Sequence, residues 1–362
     1  MLTELALVFL RLGVIGFGGP AAHVALMRKE IVSNRKWLGQ DEFNRMFAAC
    51  NLIPGPSSTE LAIFIGHRRG GWRGMLIVGG CFILPAALLM LGIGRAYVRW
   101  GRQPTVVHLL EGVRPIVVGI MAWAAIELGR TMAGDWPRAG IAVLAAVVLA
   151  LGLTPALIVV IAGASLVLAR RTWRSSPLVV PGAGFAPVSL SPAAIFLAFL
   201  KIGALSFGSG YVLVAFLRAD FVQAMHWLTD RQLVDAIAIA QATPGPVFSV
   251  ATLVGYLVGG VPGAMVATAG IFLPGFALVP FMDRVLRLVQ RHVSAMAFVD
   301  GANAAALGLI AAVTLQLASA ALTGPTAVVA AAVTIAAMWR WPLASPALIA
   351  GGAVAGLAGI IV

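Results

Sequence analysis

The sequence predicts an all-α, polytopic membrane protein built from two homologous halves. Three observations carry that prediction: an apolar content foreign to water-soluble chains, several apolar stretches long enough to cross a bilayer, and a chain that matches itself when slid by 190 positions.

Of 362 residues, 60% are apolar and 10% carry a formal charge, against about 45–50% and about 25% in a soluble domain. Stretches of roughly 20 apolar residues suit the ~30 Å of hydrocarbon that a helix must span. The net charge of +12 does not point to nucleic acid, because Lys and Arg sit between apolar segments and form no amphipathic or aromatic-interleaved stripe. They read instead as a topology signal, with the lipid bilayer as partner. The first apolar run carries Arg11 in its middle and lacks a small-residue cleavage site, so it reads as retained and not as a signal peptide. Cys50 and Cys81 stand isolated in apolar surroundings and read as packing residues.

The self-match is long and ordered. Phe9, Leu10, Arg11 and Gly13 fall on Phe199, Leu200, Lys201 and Gly203; Trp37 and Leu38 fall on Trp227 and Leu228; Pro54, Gly55 and Pro56 fall on Pro244, Gly245 and Pro246. One residue then drops out, and at an offset of 189 Gly66, Pro85, Gly112 and Gly119 meet Gly255, Pro274, Gly301 and Gly308. The repeats are taken as 1–168 and 192–362, joined by a connector at 169–191 that is basic and then Pro/Gly-rich. Apolar segments are expected near 4–27, 46–65, 74–94, 113–133, 139–153 and 155–168, with mates at 192–217, 236–258, 263–282, 302–322, 324–339 and 342–362.

Charge placement bears on topology. If every segment crosses, the halves are parallel and the better orientation puts 14 basic residues inside and 9 outside. If the Pro-Gly-Pro segments re-enter, there are ten crossings, the repeats are inverted, and the division becomes 17 and 6. The second arrangement is favoured, with 28–45, 67–73, 170–174 and 284–291 cytoplasmic and both chain ends outside. Equivalent loops agree, since 28–45 holds five basic residues where 218–235 holds two. Arg95, Arg99, Arg102 and Arg114 then gather on the outer side, as an anion vestibule or as a fault in the assignment.

The chemistry is expected where both halves repeat an irregularity. Arg11 and Lys201, cations at membrane depth, each precede a Gly-rich break, GFGGP at 16–20 and SFGSG at 206–210. There Gly18, Gly19, Gly208 and Ser209 let the backbone approach an anion. The second irregularity is NLIPGPSST at 51–59 and QATPGPVFS at 241–249. Two prolines around a glycine release backbone groups at depth, tolerated only against protein or a cavity. Asn51, Gly55, Ser57 and Ser58, with Gln241, Gly245 and Ser249, are the candidates around it. The alternative for both is structural: glycines for close helix packing, cations that snorkel, and prolines that only kink.

His23 and Glu60 are candidates for proton relay or gating, although their repeat mates Leu213 and Val250 are apolar. Glu111 and Asp300 suit an acidic hinge or interfacial cap, and Glu127 and Gln316 are expected to hydrogen-bond between helices. No metal-spaced cluster, phosphate loop or nucleophile with a base is present, so neither an enzyme, a cofactor nor an ATP-driven pump is expected. A non-transporting anion sensor would need a signalling domain for which these short loops leave no room.

FLRLGVIGFGGPAAH, NLIPGPSS, FLKIGALSFGSGY and AQATPGPVFSVATLVGY resemble the chromate ion transporter family of bacterial and archaeal membrane proteins, over nearly the whole chain. The resemblance implies a two-domain secondary transporter of the cytoplasmic membrane that exports chromate and confers chromate resistance. It also implies halves of opposite orientation, and sulfate as the related dianion. Asn51 stands where the family's first half usually has Gln, and Ser209 where a Gly is usual, which leaves the choice of anion open. The small-residue run GGAVAGLAG at 351–359 fits a homodimer face or packing within one chain.

Overall fold

The computed structural model describes residues 1–132, 134–170, 190–207, 210–341 and 345–361, and among them every regular element is helical. Helix α1 (Leu2–Ile15) stops at Gly16, and α2 (Gly19–Met27) begins after Gly18 and Gly19, both at positive φ. The chain turns back there. Glu4 and Arg35 form an ion pair of 2.6 Å, so the start of α1 lies beside the π-helical turn Arg28–Asn34 that follows α2. The second half repeats this with α8 (Pro192–Leu205), α9 (Val212–Leu217) and the π turn Arg218–Ala224, where Lys201 reaches Asp220 at 2.7 Å. Nineteen residues of unbroken helix would separate that pair by roughly 28 Å. Each first segment, expected to cross once, is therefore a hairpin of short helices. The N-terminus lies at the end that carries 28–45 and not opposite it.

A second hairpin follows. Helix α3 (Gln40–Cys50) ends before the first Pro-Gly-Pro, and α4 (Ser57–Trp100) begins after it. Arg68 lies 3.5 Å from Glu42, and Arg69 donates to the Trp37 carbonyl at 3.2 Å, so this segment also enters and leaves at one end. At Gly70 and Gly71 α4 reverses, Gly71 taking φ +56°, and its two limbs pack so closely at Gly66 and Gly74 that neither position admits a Cβ. The mates are α10 (Asp230–Ala242) and α11 (Val250–Leu278), which reverses at Gly259 and Gly260. The residue missing from the second half falls where α11 is preceded by a tighter 3₁₀ turn, Val247–Ser249.

The remaining helices are α5 (Pro104–Arg130), α6 (Trp136–Ala150), α7 (Pro155–Arg170), α12 (Met282–Arg291), α13 (Val293–Ala321), α14 (Pro325–Arg340) and α15 (Ser345–Leu357). Several open with proline in the first turn, where a missing N–H costs nothing. Among the described residues, four helical stretches are long and apolar enough to cross a membrane: α4, α5, α13 and the stretch Val247–Val289 that contains α11.

The halves exchange partners. Helix α5 packs against α14 and α15 of the second half, while α13 packs against α6 and α7 of the first. The repeat-paired glycines sit at these crossings: Gly112 against Gly352 and Gly356, Gly301 against Ala162 and Gly163, Gly119 against Thr334, and Gly308 against Ala142 and Ala145. Each leaves no room for a Cβ, and that closeness is the basis of association where apolar burial gives no advantage over lipid. The second limbs of α4 and α11 also meet. Gly79 abuts Phe276. Arg68, beside the reversal where the α4 limb starts, reaches Asp283 just beyond the end of the α11 limb at 3.3 Å, and Gly94, near the far end of the α4 limb, abuts Tyr256 beside the reversal where the α11 limb starts. The two limbs are therefore antiparallel.

A candidate anion site where four helix breaks meet

The Pro-Gly-Pro turn of each half reaches into the other half. Gly55 N–H donates to the Ser206 carbonyl at 2.8 Å, and Gly245 N–H donates to the Gly16 carbonyl at 2.7 Å. These are one contact made twice, because residue 206 is the mate of 16 and residue 245 the mate of 55. Such reciprocity is the mark of a two-fold relation. It brings all four irregularities of the sequence to one junction. The two Gly-rich breaks also face each other, with a Cβ position on Gly210 lying 3.9 Å from Pro20.

Glycine is required at both turns. Gly55 and Gly245 take φ of +127° and +97°, a region that favours glycine. A Cβ on Gly245 would lie 2.5 Å from that of Ala86, and one on Gly55 would overlap the Glu60 carboxyl. The prolines on either side withhold their own N–H groups, which leaves the glycine amide as the donor that crosses the interface.

His23 braces the junction. Its Nε2 lies 3.0 Å from the Gly16 carbonyl and its Nδ1 3.3 Å from Ser58 Oγ, with the ring edge-on to Phe82. A carbonyl only accepts, so Nε2 is the donor, and in the neutral ring Nδ1 accepts the Ser58 hydroxyl. One buried side chain thus ties a Gly-rich break to the first turn of α4.

Polar atoms without partners concentrate on the same segments. Thr59 Oγ1, both Glu60 oxygens, Gln241 Nε2 and Ser249 Oγ are buried and make no hydrogen bond among the described residues. Buried polar groups are ordinarily satisfied, so a cluster of exceptions points to something that the fold alone does not supply. Gln241 and Tyr211 share a side-chain hydrogen bond, a contact that sequence reasoning missed. Helices α2 and α4 open here without any side-chain cap.

The other predicted residues divide. Gly18, Gly19, Ser57 and Ser58 lie on the junction segments, whereas Asn51 is exposed at the end of α3. Gly208 and Ser209 lie outside the described residues, as does most of the connector, 171–189. Lys201 is ion-paired to Asp220, 4% exposed. Arg11 is exposed in an open cleft of about 400 Å³, with Glu4, Lys29, Glu30 and Arg35 around it and Ile15, next to the first break, at one end. The two repeat mates are thus in unlike states, one closed on its acid and one open.

Two expectations are corrected. Glu127 and Gln316 do not meet: Glu127 lies 3.4 Å from Arg130, and Gln316 accepts from Arg218 at 2.6 Å, because each has a cation nearer than the other amide or acid. Arg114 is not a free vestibule cation, since it is 6% exposed and bound to Asp235, although it lines a cleft of about 280 Å³ with Glu111 and Arg231. Glu111 and Asp300 do act between halves, pairing with Arg231 and Arg138 at 2.7 Å.

The sequence profile of the chromate transporter family matches residues 3–168 and again 193–357. The chain belongs to the chromate transporter family. The chromate transport protein of Cupriavidus metallidurans is 34% identical over 98% of this chain and 92% of its own length. A probable chromate transport protein of Synechococcus elongatus is 29% identical over 98% and 95%. The chromate transport protein of Pseudomonas aeruginosa is 32% identical over 86% and 79%. No solved structure matches the fold. This member of the chromate transporter family is a multi-pass protein of the cell membrane, and transport, not catalysis, is its work.

Proposed function

We propose that this chain exports chromate as a secondary transporter and holds the dianion at the junction of the four helix breaks. The observation that carries this reading is the reciprocal pair of bonds, Gly55 to Ser206 and Gly245 to Gly16, around which unpartnered donors of both halves collect. Uncapped helix starts at α2 and α4 add amide donors and positive potential for an oxyanion. Gln241, Ser249 and Ser57 supply side-chain donors, while the Ser58 hydroxyl is given to His23. Arg11 receives the anion in the open cleft, and Lys201 is its counterpart in the other half.

The halves are inverted repeats in this reading. The antiparallel second limbs of α4 and α11 support it, because a two-fold axis along the membrane normal would make them parallel. The end that carries Arg35, Arg69, Arg138 and Arg340 is cytoplasmic by its charge. The Arg11 cleft then opens inward, while Arg114, Asp235 and Tyr97 shut the outer end, as an exporter awaiting its load requires. The Pro-Gly-Pro and Gly-rich hairpins of the first half re-enter from the cytoplasm and those of the second half from outside, and they meet near the midplane.

Backbone amides do not discriminate strongly between tetrahedral dianions, so sulfate is expected to compete. The test is chromate flux into inside-out vesicles with sulfate as competitor. Saturable uptake that Gly245→Ala abolishes supports the site, and uptake indifferent to Gly245 refutes it.

A further inference from the structure

Glu60 is the one acid on the junction segments, and it is 1% exposed with neither oxygen bonded among the described residues. It sits in the first turn of α4, with its carboxyl against Gly55 of its own turn and within 3.6 Å of a Cβ position on Gly275 of the other half. The charges around it can be named for each element packed on α4. Helix α1 offers Glu4 and Arg11, both exposed; α2 offers His23, already bound to Gly16 and Ser58. Helix α3 ends in Cys50, with its charged residues at its outer start. The second limb of α11, Gly263 to Leu278, carries no ionisable residue, and Lys201 on α8 is taken by Asp220.

The fold does not need this acid, because its mate Val250 is apolar and equally buried. An ionised carboxylate with no partner in so dry a place is strongly disfavoured. A carboxylate at this helix start would also claim the positive end of α4 and repel an incoming dianion. The protonated acid removes that repulsion.

We propose that Glu60 takes up a proton from water when the oxyanion binds and gives it back when the oxyanion leaves, which makes the proton the co-substrate of this transporter. The proposal rests on the oxyanion reading above. One proton on one carboxyl oxygen accompanies each dianion, so a single positive charge moves with it. By linkage, chromate binding weakens as pH rises, by at most about tenfold per pH unit for one proton.

The test uses the full chain in liposomes and reads two fluxes: chromate counterflow without a gradient, and net chromate accumulation driven by an imposed pH gradient. Wild type is expected to perform both. Glu60→Gln, a permanent mimic of the protonated acid, is expected to keep counterflow within about twofold and to lose gradient-driven accumulation by about tenfold or more, with half-saturation no longer following pH. The substrate's own protonation is common to both proteins and cancels in their ratio. Accumulation by Glu60→Gln equal to wild type overturns the proposal. So does loss of counterflow in both Glu60→Gln and Glu60→Val at unchanged protein levels, since Glu60 would then serve binding alone. Absence of counterflow in wild type sinks the oxyanion reading and this inference with it.

Discussion

Arg114 and Asp235 lock the two halves together at one end of the bundle, Nε to Oδ1 at 2.8 Å and Nη2 to Oδ2 at 3.1 Å, with the Tyr97 hydroxyl on Oδ2 at 2.7 Å. Nothing equivalent can form at the other end, where the repeat mates are Asn303, Arg45 and Leu286. Removing either partner leaves a buried charge uncompensated, at about 3–5 kcal/mol. Asp235→Ala and Arg114→Ala are each expected to lower the melting temperature in detergent, and the double replacement Arg114→Met with Asp235→Leu to restore most of it. Thermal unfolding of the four proteins checks this.

Not every left-handed glycine is expected to matter equally. Gly71 and Gly260 also take positive φ, but a Cβ there meets nothing within 4 Å. Alanine at either is expected to cost about 1–2 kcal/mol of backbone strain and to leave transport intact. Gly245→Ala adds the overlap with Ala86 and displaces the turn that bonds Gly16. Cells that carry Gly245→Ala are expected to be as chromate-sensitive as empty-vector cells, and those with Gly71→Ala to resemble wild type in a growth assay.

What was legible in the sequence followed from local chemistry. Proline cannot continue a helix and paired glycines weaken one, so the breaks at 16–20 and 54–56 and their mates could be placed without coordinates. Direction was not legible: the apolar run 4–27 is continuous across Gly16 to Gly19, and hydropathy does not distinguish a helix that proceeds from one that folds back. The exchange of α14 and α15 onto α5 leaves no periodic trace, since Gly112 and Gly119 look the same whichever half covers them. Asp235 could have been found, because an acid inside the apolar stretch of α10 invites the same question as Arg11 and Lys201.

Glu30 gives the π-helical turn after α2 an acid-sensitive joint. Hydrogen bonds from Arg35 and Asn34 hold its carboxyl below the usual carboxylate range. A folded-state value depressed below the unfolded one means that this contribution to stability is present above the unfolded value, near 4.3, and fades as pH falls through the folded one. Wild type is therefore expected to lose more of its melting temperature between about pH 5 and 3 than Glu30→Gln does. Parallel melting curves for the two proteins over that interval would remove the joint from the account.

Arg11 and Lys201 occupy one repeat position, yet their replacement is expected to fail in different ways. Lys201 neutralises Asp220, which is buried, so Lys201→Met strands a carboxylate in the interior and reduces the amount of protein in the membrane. Asp220→Asn in the same chain is expected to restore that amount. Arg11 is exposed in its cleft, and its loss strands nothing. Arg11→Ala is expected to reach the membrane at wild-type levels and to raise half-saturating chromate by about tenfold, the effect of one charge-assisted contact of ~1.4 kcal/mol. Immunoblots of membrane fractions alongside vesicle flux separate the two. If Arg11→Ala transports with unchanged half-saturation, the cleft is not the entry for the anion, and the state in which Arg11 stands open and Lys201 closed has no bearing on transport.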